Sequence, residues 1–230
     1  MPHFELDLDQ DGSARAIYKD GELIEGAISL ESPNSIVQTY FASAIRNIDA
    51  MTVGDDPDGD RARDNRHFGL QSFLMSLVGT EAFLNIYFHQ LGNLQGLPDV
   101  IDLATSDKPI EHKLSHLPRR AFGSPLPNSK KLCAKMRELY DLRSNMVHPK
   151  WTPSSIAFDG MMYAGFVDNQ QKLFENREFC RETLRWCLLV IARIGVHSGS
   201  TRWDFVYNWS MIHETNESLS NYLGIPADGI

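Results

Sequence analysis

The sequence predicts a mainly α-helical protein with a small β-meander at its N-terminus and a short β-hairpin insertion. Apolar residues recur at three- and four-residue steps over 66–91, 129–147 and 176–196, which is the spacing of amphipathic helices. Apolar and acidic residues alternate from Phe4 to Asp9, with the period of a half-buried strand. Long helical patterns and short strand patterns together therefore favour a helical domain with β additions.

Residues 1–60 are expected to form an acidic, β-rich extension. Turn signals at Asp11-Gly12 and Asp20-Gly21 separate three strand patterns, so an antiparallel meander is predicted. A short helix is expected from Ser35 to Asn47, and the polar stretch 54–64 is expected to be a loop.

A helical domain is expected over 66–198. Its first long helix should run from Arg66 to about Leu91, because Gly92 and the stretch Gly96-Leu97-Pro98 are stop signals. Pro109 at a first helical position predicts a short helix to about Leu117, and Pro118 should then begin a proline-rich loop.

Two further long helices complete the expected domain. One begins at Ser129 and ends near Val147, because Pro149 pushes the residue before it out of the α region. A hairpin is expected around Asp159-Gly160, and the last long helix should run from about Asn176 to Val196. Residues 199–230 are expected to form a short helical tail.

Composition and cysteine usage favour a cytoplasmic protein with no membrane partner. The longest apolar run, Trp186 to Ala192, is far shorter than the ~20 residues of a membrane helix, and no secretory signal is visible. The three cysteines form no Cys-x2-Cys pair, and an odd number suits reduced thiols. Cys180 and Cys187 are expected to be small core residues.

The net charge of −8 is unevenly distributed along the chain. Residues 1–60 hold thirteen acidic and three basic side chains, whereas residues 108–150 hold three acidic and ten basic ones. Because affinity for phosphate follows local charge, the basic segment is either a nucleic-acid-binding surface or a solvated face. The candidate RNA-binding side chains are Lys130, Lys131, Lys135, Arg137 and Lys150.

One segment resembles a known family. The stretch Leu139-Tyr140-Asp141-Leu142-Arg143-Ser144-Asn145-Met146-Val147-His148 is similar to the end of the third helix of HEPN domains, which carries an Arg-x4-His motif. Glu81-Ala82-Phe83 with Asn85 resembles the family's first helix, and Glu111-His112-Lys113-Leu114 resembles its second. The resemblance covers residues 66–196. It implies a HEPN-like four- to five-helix bundle that acts as a homodimer and binds RNA.

The resemblance further implies a metal-independent RNA endonuclease that needs no cofactor. Arg143 and His148 would be catalytic, with Ser144 or Asn145 as polar helpers. RNA supplies its own nucleophile, the 2′-hydroxyl, so the protein must move protons and stabilise phosphate charge. Histidine exchanges protons near neutral pH, and a guanidinium binds two phosphate oxygens at once.

Helical geometry constrains this pair. Five helical residues rotate by about 500°, so Arg143 and His148 share one helical face only if the helix loosens near residues 145–148. Otherwise the pair must act across a dimer interface, where the same patch is used twice. Glu81 is expected to orient Arg143 if the first and third helices pack together.

Several alternatives stay open. Arg143 could bond to the last carbonyl groups of its helix, and His148 could interact with the negative end of the helix dipole. The chain could be a non-catalytic HEPN-type scaffold whose acidic meander binds a partner, or a toxin-like defence or stress component with an inhibitor protein. His112 and His116 have metal-binding spacing, but no third ligand is evident, so no metal is expected.

Overall fold

The computed structural model describes residues 4–8, 14–23, 34–54, 60–127, 129–147, 155–158, 161–164, 172–200 and 202–210. These form two compact units, Met1–Ser32 and Pro33–Ile230. The described chain is mainly helical and carries small antiparallel sheets. The expected extension over 1–60 spans both units, because the helix Ser35–Ala50 belongs to the second one.

The first unit contains a three-stranded antiparallel sheet in chain order: β1 (Phe4–Leu8), β2 (Ala14–Lys19) and β3 (Glu22–Leu23). Phe4 pairs with Lys19, and the register shifts between Asp7 and Leu8. Asp20 and Gly21 join β2 to β3 with φ angles of 53° and 85°, the left-handed pair that a tight type I′ hairpin turn requires. The predicted meander is confirmed, while Asp11-Gly12 lies outside the described residues.

The described part of the second unit consists of helices and one hairpin. Its helices are α1 (Ser35–Ala50), α2 (Asp60–Gln95), α3 (Pro98–Thr105), α4 (Ile110–Phe122), α5 (Ser129–Val147), α6 (Arg177–His197) and α7 (Arg202–Ser210). The predicted hairpin is confirmed as β4 (Ser155–Phe158) paired antiparallel with β5 (Met161–Ala164). Asn176 caps α6 by accepting hydrogen bonds from the backbone N–H groups of Glu178 and Phe179.

Helix α2 is the centre of the second unit, since α1, α3, α4, α5 and α6 all contact it. Its residues Phe73, Phe83 and Phe88 are fully buried. At Gly69 the backbone of another segment approaches so closely that a Cβ would lie 1.9 Å from the carbonyl oxygen of Phe174. Only glycine fits there. No described helix is both long enough and apolar enough to cross a membrane.

The prediction for the long helix is wrong at both ends. Helix α2 begins at Asp60, within the expected loop, and it continues through Gly92 to Gln95. Gly92 is buried, and a Cβ there would lie 2.7 Å from Cγ1 of Ile101, so this glycine permits close packing of α3 rather than ending α2. The helix ends before Gly96, whose φ of 66° is left-handed.

Two features around α3 and α4 also differ from the prediction. Helix α3, which begins with Pro98 at its first position, was not predicted from the sequence. Pro118 does not begin a loop, because it lies buried inside α4. It withholds one backbone donor from the carbonyl of Leu114, but the helix continues to Phe122 and ends at Gly123, whose φ is 75°.

Candidate functional site

Helix α5, which carries the arginine of the motif, buries an apolar stripe and makes a hydrogen bond to α2. Leu132, Met136 and Leu139 recur at helical spacing and are buried. The Tyr140 hydroxyl donates a hydrogen bond of 2.7 Å to the carbonyl oxygen of Leu77 in α2. Burial raises the pKa of Tyr140 well above its ordinary value, so the phenol keeps its proton and remains a donor.

Arg143 lies one turn beyond Tyr140 and directs its guanidinium towards α2. Its Nη1 atom lies 3.4 Å from Oε2 of Glu81, and its Cζ atom lies 5.6 Å from the centre of the Tyr140 ring. The Arg143 side chain is 33% exposed and the Glu81 side chain 39% exposed, so the pair is accessible from solvent. The contact between Glu81 and Arg143 is present, and the orienting role of Glu81 stays a prediction.

A buried lysine lies close to this ion pair. Lys113 of α4 is 2% exposed, and its Nζ atom donates to Oδ1 of Asn85 at 2.8 Å and to the carbonyl oxygen of Ala104 at 3.0 Å. Burial lowers the pKa of Lys113, and the carboxylates of Glu81 and Asp107 oppose that shift. Asn85 and Lys113 belong to the segments that resemble the family, but neither was predicted as a site residue.

We call Glu81, Asn85, Lys113, Tyr140 and Arg143 the α2–α5 polar cluster. It combines two cationic side chains, Lys113 and Arg143, with the single carboxylate of Glu81. Glu81 takes one hydrogen bond from Arg143, and a guanidinium has five N–H donors in total. The cluster can therefore accept an anion with several oxygen acceptors, such as a phosphate group, at its exposed side.

Two of the other predicted catalytic residues, Ser144 and Asn145, do not converge on Arg143 within one chain. Ser144 and Asn145 are exposed, and helical geometry turns them by about 100° and 200° away from Arg143. Helix α5 stays helical through Val147, so the loosening expected from residue 145 onward is not seen at residues 145–147. His148 and Lys150 lie outside the described residues.

The predicted RNA-binding side chains of α5 occupy two flanks of the helix. Seven residues separate Lys130 from Arg137, which places them only about 20° apart, whereas Lys131 and Lys135 lie on another flank, about 40° apart. Arg137 donates to Glu111 at 3.1 Å, and Lys135 donates to Glu138 at 2.7 Å. These four described side chains of α5 thus do not form one continuous cationic stripe.

The structure also describes the two candidate core cysteines and the two histidines with metal-binding spacing. Cys180 and Cys187 are fully buried, as predicted, and burial raises the pKa of each thiol to about 12. The rings of His112 and His116 stack with their centres 4.1 Å apart. Among the described residues, no three histidine, cysteine or acidic side chains are grouped so that they could hold a metal ion.

Comparison with known proteins adds no relative, since no protein-family model, curated protein or solved structure matches this chain.

Proposed function

We propose that this chain is a metal-independent RNA endonuclease of the HEPN type. The observation that supports the proposal best is the contact between Arg143 and Glu81 beside the buried Lys113. These side chains come from three helices, and each belongs to a different segment of the family resemblance. In this arrangement the Arg143 guanidinium is partly exposed and has N–H donors beyond the one that donates to Glu81, as a phosphate clamp requires.

The proposed reaction uses the ribose next to the scissile phosphate. A base removes the proton of the 2′-hydroxyl, the 2′-oxygen attacks phosphorus, and the bond from phosphorus to the 5′-oxygen breaks. The products are a 2′,3′-cyclic phosphate and a 5′-hydroxyl, which receives a proton from an acid. Arg143 stabilises the charge on the phosphate oxygens, and His148 serves as the acid or the base. The role of His148 rests on the sequence motif alone.

A homodimer is part of the proposal. Ser144 and Asn145 point away from Arg143 on their own helix, which favours their acting at a phosphate held by a second copy's arginine. A two-fold contact through the end of α5 would bring both copies of Arg143, Ser144 and Asn145 into one cleft.

The test is cleavage of single-stranded RNA in EDTA by the wild type, Arg143→Ala and His148→Ala. Both variants should lose cleavage by at least about a hundredfold, the scale expected for removal of a charge-stabilising or proton-transferring group. Arg63→Ala is the matched control, because Arg63 is also an arginine paired with a carboxylate, Asp60 at 3.2 Å. It lies about 27 Å along α2 from Glu81. Cleavage that survives in Arg143→Ala would contradict the proposal.

A non-catalytic HEPN-type scaffold is the second candidate. It is favoured by the engagement of Arg143 with both Glu81 and Tyr140, which also stabilises the packing of α5 on α2. In that case the wild type leaves RNA intact, and Arg143→Ala lowers only the stability of the fold.

A further inference from the structure

A second polar site lies between α4 and α5, on a different side of α5 from Arg143. It is an open pocket lined by Lys108, Glu111, His112, His116, Cys133 and Arg137, which we call the α4–α5 pocket. Arg137 precedes Arg143 by six residues, which places the two guanidinium-bearing positions about 9 Å apart along the helix axis and about 120° apart around it.

The two histidines present parallel rings to this pocket. Their ring planes differ by 19°, and Nδ1 of His116 lies 2.9 Å from the carbonyl oxygen of His112. Oγ of Ser115 lies 2.7 Å from the same nitrogen, so Ser115 and the His112 carbonyl together position the His116 ring. In a charged imidazole ring both nitrogens are hydrogen-bond donors, which suits an anionic ligand.

The charge around the histidines favours an anion over a metal cation. Burial lowers the pKa of His112, and His116, Lys108 and Arg120 lower it further, while Glu111 opposes them. Positive neighbours that disfavour a proton on this ring also disfavour a metal ion and attract a negatively charged group.

Arg137 completes the pocket from α5. Its side chain is 63% exposed, and its Nε atom donates to Oε1 of Glu111 at 3.1 Å. Glu111 therefore fixes the guanidinium through Nε, and the terminal nitrogens retain donors for two phosphate oxygens.

We propose that the α4–α5 pocket binds a phosphate group of single-stranded RNA that neighbours the scissile phosphate. Arg137 and Lys108 supply the charge, and His112 and His116 supply ring donors. This inference rests on the proposed function, because it extends the path of the same RNA strand from Arg143 along α5 to α4.

The first experiment titrates the full chain with inorganic phosphate and follows the ring signals of His112 and His116 by NMR. Bound phosphate should shift the ring signals of both histidines, because an anion beside the rings changes their electrostatic surroundings. The thiol of Cys133, which lines the pocket, should also become less reactive towards iodoacetamide. Ring signals that move with zinc chloride and not with phosphate would overturn the proposal in favour of a metal site.

The second experiment measures binding of a 2′-O-methyl oligonucleotide, which cannot be cleaved, as a function of salt. Arg137→Gln should weaken binding and lower the slope of log K against log salt by about 0.7, the value for one lost phosphate contact on a single strand. Arg119→Gln is the matched control, because Arg119 is exposed on α4 and does not line the pocket.

The outcomes separate the two proposals. An unchanged salt slope in Arg137→Gln, together with RNA cleavage by the wild type, removes the pocket and leaves the nuclease. A reduced slope with no cleavage by the wild type leaves the phosphate site and removes the nuclease.

Discussion

The hydrogen bond from Tyr140 to Leu77 offers a sharp test of how Arg143 is positioned. Tyr140→Phe deletes the hydroxyl that donates at 2.7 Å across α5 and α2 but keeps the ring beside Arg143. The loss should be about 1 kcal/mol of unfolding free energy, the typical net value of one hydrogen bond. The Leu77 carbonyl lies inside α2 and retains its helical donor, so no larger penalty for an unpaired group is expected.

Tyr140→Ala removes the ring as well and should cost about 3 kcal/mol or more, as other large-to-small aromatic changes do. Urea denaturation measures both values, provided that the slope of free energy against urea stays constant. Tyr40→Phe is the matched control, because the Tyr40 hydroxyl has no hydrogen-bond partner within the described residues. Equal losses in Tyr140→Phe and Tyr140→Ala, or no loss in Tyr140→Phe, would refute this reasoning.

Two further predictions concern the core. Gly69→Ala should destabilise the fold by several kcal/mol or prevent folding, because the new Cβ would meet the Phe174 carbonyl oxygen at 1.9 Å. Ser72→Ala removes a buried hydroxyl that has no hydrogen-bond partner among the described residues, so it should be nearly neutral in the same urea assay. Stability should fall above pH 9, since Cys180 and Cys187 have pKa values of about 12 when folded and 9.0 ordinarily, so the unfolded chain releases these protons first. Each thiol contributes a slope of about 1.4 kcal/mol per pH unit between those values. A urea midpoint independent of pH over this window would contradict the assignment.

The parts of the fold that the sequence predicted well have clear boundary signals. Helix α6 follows an asparagine that caps it, and α5 ends at Val147, shortly before Pro149. Helix α3 was missed because eight residues are too few to establish a period. Gly92 was read as a stop because its role depends on Ile101 of a neighbouring helix, which only the folded chain brings near.

Some contacts of the candidate site were predictable from the sequence, and others were not. The contact of Glu81 with Arg143 was expected, because both positions lie in segments that resemble one family. The burial of Lys113 was not expected, since a lysine in a basic segment is ordinarily solvated. Its partner Asn85 lies 28 residues away on α2. The pairing of Arg137 with Glu111 likewise depends on how α4 and α5 meet.

The most direct measurement is analysis of the ends of a defined single-stranded RNA after incubation with the protein in EDTA. The proposed cleavage yields fragments that carry 2′,3′-cyclic phosphate and 5′-hydroxyl ends, and these fragments should disappear with Arg143→Ala. Intact RNA with the wild type, or the same fragments with Arg143→Ala, would contradict it.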